Sequence, residues 1–330
     1  MIPFVHLVLC LLMIVIQNAE CWLAFPHRRR SHCSKVPFRK ITDTLLFCMN
    51  RLPNIRQSPC LRQSSFDMPT QNDAVSWYHP VAAERLSREE GQVVMDEQLM
   101  PRDGYDYRIR LGRDAQGLQE STGAISAHDP RLDLTYGEFP LASMDQLIDV
   151  GLTYLCDVSS SPIGHITMID IGSGCGRLVL YATLTRGNQD QSWSIHGIEI
   201  APLLHDEALA AVSRGRHGGF LSEKSQRGTS NSLTLHNGPA DEYPLLLGMA
   251  DLIFAYSTAF PAETFHPEIG AMILGSDWSR LLSQSCRSGC IAITTDRALD
   301  PAYGWKLLDR MEVDNREVLG STGYVHRLEK

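Results

Sequence analysis

The chain has 330 residues, of which 43% are apolar and 21% charged, enough for one large domain or two ordinary ones with a full core. That composition excludes a collagen, a coiled coil, a disulfide miniprotein and a wholly disordered chain, and a single apolar stretch near the start excludes a multi-span membrane protein. The net charge of −8 hides two unlike parts: residues 1–66 carry 9 Lys/Arg against 2 Asp/Glu, and residues 67–330 carry 21 against 36. So acidic a body disfavours nucleic acid as a partner, because Lys and Arg must displace counterions from phosphates.

Leu7 to Ile16 is an unbroken apolar run of 10 residues, about half of the ~20 that a membrane-spanning helix needs. It suits the apolar core of a signal peptide, and no membrane span is expected once the leader is removed. Phe25 to Phe66 holds nine Lys/Arg, several Ser and one acid, Asp43, the composition of an organelle transit peptide. The two segments together resemble the bipartite plastid presequence of algae with secondary plastids, and Ala24-Phe25-Pro26 is similar to the core of its cleavage motif. The resemblance implies a signal segment at 1–24, a basic transit segment at 25–66 and a plastid destination, with the secretory pathway as the alternative. Five of the nine Cys lie in this leader. The remaining close pair, Cys286-x3-Cys290, has no second ligand pair and reads as core or loop thiols; no metal is expected.

Residues 67–133 form an N-terminal extension or lid, with a helical stretch over Pro80–Leu99 and a strand over Tyr105–Leu111. From Leu141 the pattern turns regular. Apolar residues at helical spacing run through Leu155, and Ile166–Ile171 is a short β-branched strand broken by Gly172-Ser173-Gly174-Cys175-Gly176. Arg177–Thr185 reads as a helix, Ser194–Glu199 as a strand, Ala201–Val212 as a helix and Ser213–Ser232 as a loop. Leu233–His236, Asp251–Tyr256 and Cys290–Thr295 are further strands, with helical material between the last two. Trp305–Val313 and Gly323–Leu328 form an antiparallel pair joined by Asp314-Asn315-Arg316. Alternating strand and helix implies an α/β fold with a parallel sheet.

Glycines at the carboxyl end of a first strand let the backbone approach a ligand closely and aim the next helix at it. A dinucleotide fingerprint is G-x-G-x-x-G; here the third Gly comes one residue early and Asp170 precedes the first. The resulting D-x-G-x-G-x-G resembles motif I of S-adenosylmethionine-dependent methyltransferases. That implies cofactor contacts at Gly172, Ser173, Gly174 and Gly176, with Asp170 orienting the loop or facing the methionine ammonium. Glu199 closes the second strand, where a carboxylate can accept both ribose hydroxyls.

Thr135-Tyr136-Gly137-Glu138-Phe139-Pro140 precedes the helix leading into the first strand. With Gly176-Arg177-Leu178-Val179-Leu180, Gly197-Ile198-Glu199, Ala250-Asp251-Leu252-Ile253-Phe254, Ala259-Phe260 and Tyr324-Val325-His326, it is similar to histone-lysine methyltransferases of the disruptor-of-telomeric-silencing type. The resemblance spans about residues 134–328 and implies a methyltransferase domain at 134–330, a class I methyltransferase (Rossmann-like) sheet ending in an antiparallel hairpin. It also implies that Tyr136, Gly137, Glu138 and Phe139 line the methionine end. Two departures stand out. The family has an acid and an aromatic after the third-strand glycine for adenine, whereas Gly238 is followed by Pro239 and Ala240, leaving Asp241 or Asn237. Where the family has an Asn pair beside the lysine channel, this chain has Tyr256-Ser257. Tyr136, Tyr256 and Phe260 are the candidate channel wall. The expected activity is methylation of a protein side chain, lysine above all. The alternatives are a small-molecule acceptor, or a catalytically silent S-adenosylmethionine-binding protein.

Overall fold

The computed structural model describes residues 77–81, 85–121, 136–158, 164–188, 190–223, 231–260 and 262–330. The 1–24 and 25–66 leader segments lie outside the described residues. Seven strands form the main sheet: β1 His165–Ile171, β2 Ser192–Glu199, β3 Ser232–Asn237, β4 Leu252–Ala255, β5 Ile291–Thr295, β6 Trp305–Val313 and β7 Ser321–Leu328. Their order is β6-β7-β5-β4-β1-β2-β3. β1 to β5 pair in parallel, while β7 runs antiparallel to both β5 and β6. A parallel five-strand sheet closed on one edge by this antiparallel pair is the class I methyltransferase (Rossmann-like) fold.

The middle strands are buried on both faces and therefore read as continuous apolar runs. Side chains alternate between two cores. Ile166, Met168, Leu252, Phe254, Ile291 and Ile293 face one core, and Ile169, Ile171, Ile253, Ala255 and Ala292 face the other. The first core is covered by α3 Leu141–Val158, α4 Arg177–Thr185 and α5 Pro202–His217, the second by α6 Pro244–Met249 and α7 Ser276–Ser285. Among the described residues no helix is long and apolar enough to cross a membrane. Cys286 and Cys290 are buried in the second core.

Four expectations need correction. Tyr105–Leu111 is helical, as the start of α2 Tyr105–Ser121. The alternation of Tyr105, Tyr107, Ile109 and Leu111 imitates a strand. The buried face is instead Arg108, Gly112 and Ala115 at i, i+4 and i+7, while Tyr107 is exposed. A Cβ on Gly112 would sit 2.3 Å from the Cβ of Tyr136, so the helix can close on that residue only with glycine there. Secondly, Pro80–Leu99 is not one helix. His79–Pro80 pairs with Leu221–Ser222, and α1 Arg88–Val94 starts at a Ser87/Glu90 capping box and continues as a π turn through Leu99. Thirdly, α5 runs to His217, and Leu221–Ser222 is strand, so the loop expected from Ser213 begins later. Lastly, the segment between β4 and β5 contains, besides α7, a hairpin of Ala262–His266 with Ala271–Leu274.

Candidate active site

A cavity of about 740 Å³ opens at the carboxyl ends of β1, β2 and β4. Parallel α/β sheets place their ligands there, because loops diverge at that edge and helix N-termini point into it. The glycine loop forms its floor. Gly172, Gly174 and Gly176 all have positive φ, between 55° and 78°. A Cβ at Gly174 would come 3.0 Å from the Tyr136 ring, which lies directly over the loop. Gly176 does not line the cavity; it caps α4 in a left-handed conformation.

Two carboxylates face this floor in unlike states. Glu199 is 4% exposed. One of its oxygens accepts from Gly174 N and the other from Ala201 N, both at 2.7 Å, so the acid fixes the loop that it would share with a ligand. Burial raises its pKa, and these amides work against the rise. Asp170 is 1% exposed, and its Oδ2 has no hydrogen-bond partner among the described residues. Burial and the neighbouring Glu199 charge push its carboxyl well above the ordinary range. A buried, unpartnered acid on a cavity wall is a costly arrangement that a cation in the cavity would relieve.

Tyr136, Gly137, Glu138 and Phe139 form the adjoining wall. Glu138 lies between two guanidinium groups. Arg108 Nε of α2 donates to its Oε1 at 2.5 Å, and Arg177 Nε of α4 stands 3.5 Å from Oε2. The Tyr136 hydroxyl donates to the same Oε1 at 2.9 Å. Arg108 is 3% exposed and was not foreseen as a site residue, since a lone Arg in a polar stretch carries no pattern. Glu317, from the turn between β6 and β7, accepts from Glu138 N at 2.9 Å and from the Tyr105 hydroxyl at 2.7 Å.

The far wall follows β4. Tyr256 packs on Phe139, ring centroids 5.0 Å apart, and its hydroxyl oxygen accepts from Asn315 Nδ2 at 3.1 Å. Asn315 is fully buried and also donates to Ser321, whose hydroxyl donates to Asp296. Thr258 donates to the same Asp296 carboxylate. Phe260 has different company: it lies over Gly172 and against Trp278 of α7, ring centroids 5.2 Å apart. The expected channel residues Tyr136, Tyr256 and Phe260 thus line one cavity but pack on separate partners. Of the two candidates for the base end, Asp241 lines the cavity, while Asn237 Nδ2 donates to the Glu199 backbone carbonyl.

No family model matches the chain, and no curated protein matches it in sequence. Among solved structures, the chain is similar to an RNA methyltransferase from Salinibacter ruber in complex with S-adenosyl-L-homocysteine. The identity is 17% over 59% of this chain and 95% of that one, with a TM-score of 0.35. It is also similar to the magnesium protoporphyrin IX methyltransferase of Synechocystis PCC 6803 with bound S-adenosylmethionine, 12% identical over 65% of this chain and 97% of that one, TM-score 0.37. The fold of this chain, read from its own strand order, is that of the class I methyltransferases.

Proposed function

We propose that this protein is an S-adenosylmethionine-dependent methyltransferase whose acceptor is a protein side chain, lysine in the first place. The observation that carries the cofactor is the pair of unlike acids. Asp170 offers a buried, unpartnered carboxylate oxygen to an ammonium, and Glu199, at the end of the neighbouring strand, offers carboxylate lone pairs to ribose hydroxyls. The Gly172–Gly174 backbone and the Tyr136 ring bound the space around the two acids. When bound, S-adenosylmethionine supplies an electrophilic methyl group on a sulfonium.

The chain's own residues then align and dehydrate the acceptor. A lysine nucleophile must be neutral, yet at a reference pKa of about 10.4 only about four in ten thousand are neutral at pH 7. Tyr136, Phe139 and Tyr256 give an aromatic wall that would lower that pKa by desolvation. Holding the amine in line contributes several kcal/mol by proximity. The acidic body favours a cationic acceptor by long-range attraction, and the same charge disfavours nucleosomal DNA. The basic, acid-poor leader supports delivery to a plastid, where the acceptor would be an organellar protein.

Two assays test the reading. Calorimetry with S-adenosylhomocysteine and NAD should find the first bound and the second bound weakly or not at all; tighter NAD binding would overturn the cofactor. Labelled S-adenosylmethionine should then transfer methyl to proteins of a soluble organelle extract in preference to nucleosomes. Labelling confined to metabolites would replace the protein acceptor by a small molecule, and strong nucleosome labelling at physiological salt would restore a histone.

A further inference from the structure

Gly238, Pro239 and Ala240 leave the exit of β3 without an aromatic side chain in the cavity. The nearest one, Tyr243, is turned away. Its ring lies on His236, centroids 5.1 Å apart, and its hydroxyl donates to the Asn237 carbonyl. A nucleobase at this end would keep one face without a stacking partner, although such a partner is a large and sequence-tolerant part of base binding.

The cavity has a further aromatic from another source. Asp170, Glu199 and Gly238 stand at the ends of β1, β2 and β3, three neighbouring strands, so a ligand anchored at the first two acids extends toward the third. α7 borders the same cavity as Gly238 and Pro239, and it packs beside α6, the helix that follows β3. Trp278 and Leu281, three residues apart and therefore on one helix face, both line the cavity. Trp278 is held against Phe260, which itself rests over Gly172. We propose that Trp278 is the base-covering side chain of this site, supplied by the segment between β4 and β5 in place of an aromatic after β3. The assignment rests on the reading of this cavity as an adenosyl site.

The test uses the full-length protein, titrated with S-adenosylhomocysteine, adenosine and methionine, with tryptophan emission and calorimetric heat followed together. Adenosine and S-adenosylhomocysteine should quench part of the emission, and methionine should not. Trp278→Phe should abolish the quench while holding the Kd within about threefold, and Trp278→Ala should weaken both adenosyl ligands about tenfold or more. A merely structural tryptophan gives a different result: a lower melting temperature in Trp278→Ala with unchanged affinity. Binding with the quench intact in Trp278→Phe overturns the assignment even if Trp278→Ala does not fold. If the wild-type protein takes up neither adenosyl ligand, the cofactor reading falls as well, so the two failures are told apart.

Discussion

The two halves of the cavity are built on opposite plans. On the glycine-loop side, Asp170, Gly172, Gly174 and the α4 N-terminus come from eight consecutive residues, 170–177, and Glu199 is one strand away. On the Tyr256 side, the wall is assembled from residues far apart in the chain: Tyr256, Asn315, Ser321 and Asp296 are linked by buried or half-buried side-chain hydrogen bonds, Phe139 packs on Tyr256, and Glu317 accepts from the Glu138 amide. A strand–loop–helix unit can hold a ligand by backbone geometry, and it tolerates drift elsewhere. A cross-linked wall changes its chemistry with one substitution, but each member must stay satisfied because low local polarity makes an unpaired group costly.

Four experiments break or sharpen that contrast. The largest effect is expected at Glu199: Glu199→Ala removes the tether of Gly174 and the carboxylate proposed to accept the ribose hydroxyls, and should cost about 2–4 kcal/mol of S-adenosylhomocysteine affinity by calorimetry. If Tyr256→Ala costs as much, the halves are not separable. Asn315→Ala should instead act on folding. It strands the Tyr256 and Ser321 oxygens, lowering denaturant-measured stability by about 2–3 kcal/mol while cofactor affinity holds within about twofold. Asp170→Asn should move the two quantities in opposite directions. A carboxyl whose folded pKa is raised favours folding when protonated, and that contribution is lost as pH rises from the unfolded value through the folded one. At pH 7 the amide therefore raises the melting temperature of the ligand-free protein by about 2–4 °C per kcal/mol gained, and it weakens S-adenosylhomocysteine through loss of the ammonium partner.

The smallest effect concerns the β2–β3 edge of the glycine-loop half. His196 and His236 stack there with ring nitrogens 3.2 Å apart, and burial together with a neighbouring imidazole holds each down to about 4. A histidine with a depressed folded pKa contributes stability above its unfolded value that is lost as pH falls toward the folded one. Between pH 7 and 5.5 each should remove about 1 kcal/mol, and His196→Asn should make the fall shallower by that amount in urea titrations. An unchanged slope would mean that the pair does not control this edge.

The same contrast decides what could be read from the sequence. β1, the glycine loop, α4 and β6 stand where the residue pattern puts them, since each is specified by contiguous residues: β-branched runs, glycines with positive φ, a helical stripe. Asn315, Glu317 and Trp278 carry no local signature, because their meaning lies in what the fold brings to them. α2 misled for a physical reason. Its strand-like alternation lies largely toward solvent, while an arginine and a glycine make the buried contact.

The Arg108–Glu138 pair has a consequence for amino-terminal truncation. A truncation that passes Arg108 would remove the guanidinium that Glu138 needs. Glu138 would then stand as a charge against Arg177 alone, with the Tyr136 face of the loop uncovered. The limit of permissible trimming is thus written into a single ion pair: polypeptides beginning before Arg88 should keep a formed cavity, and those beginning after Arg108 should not.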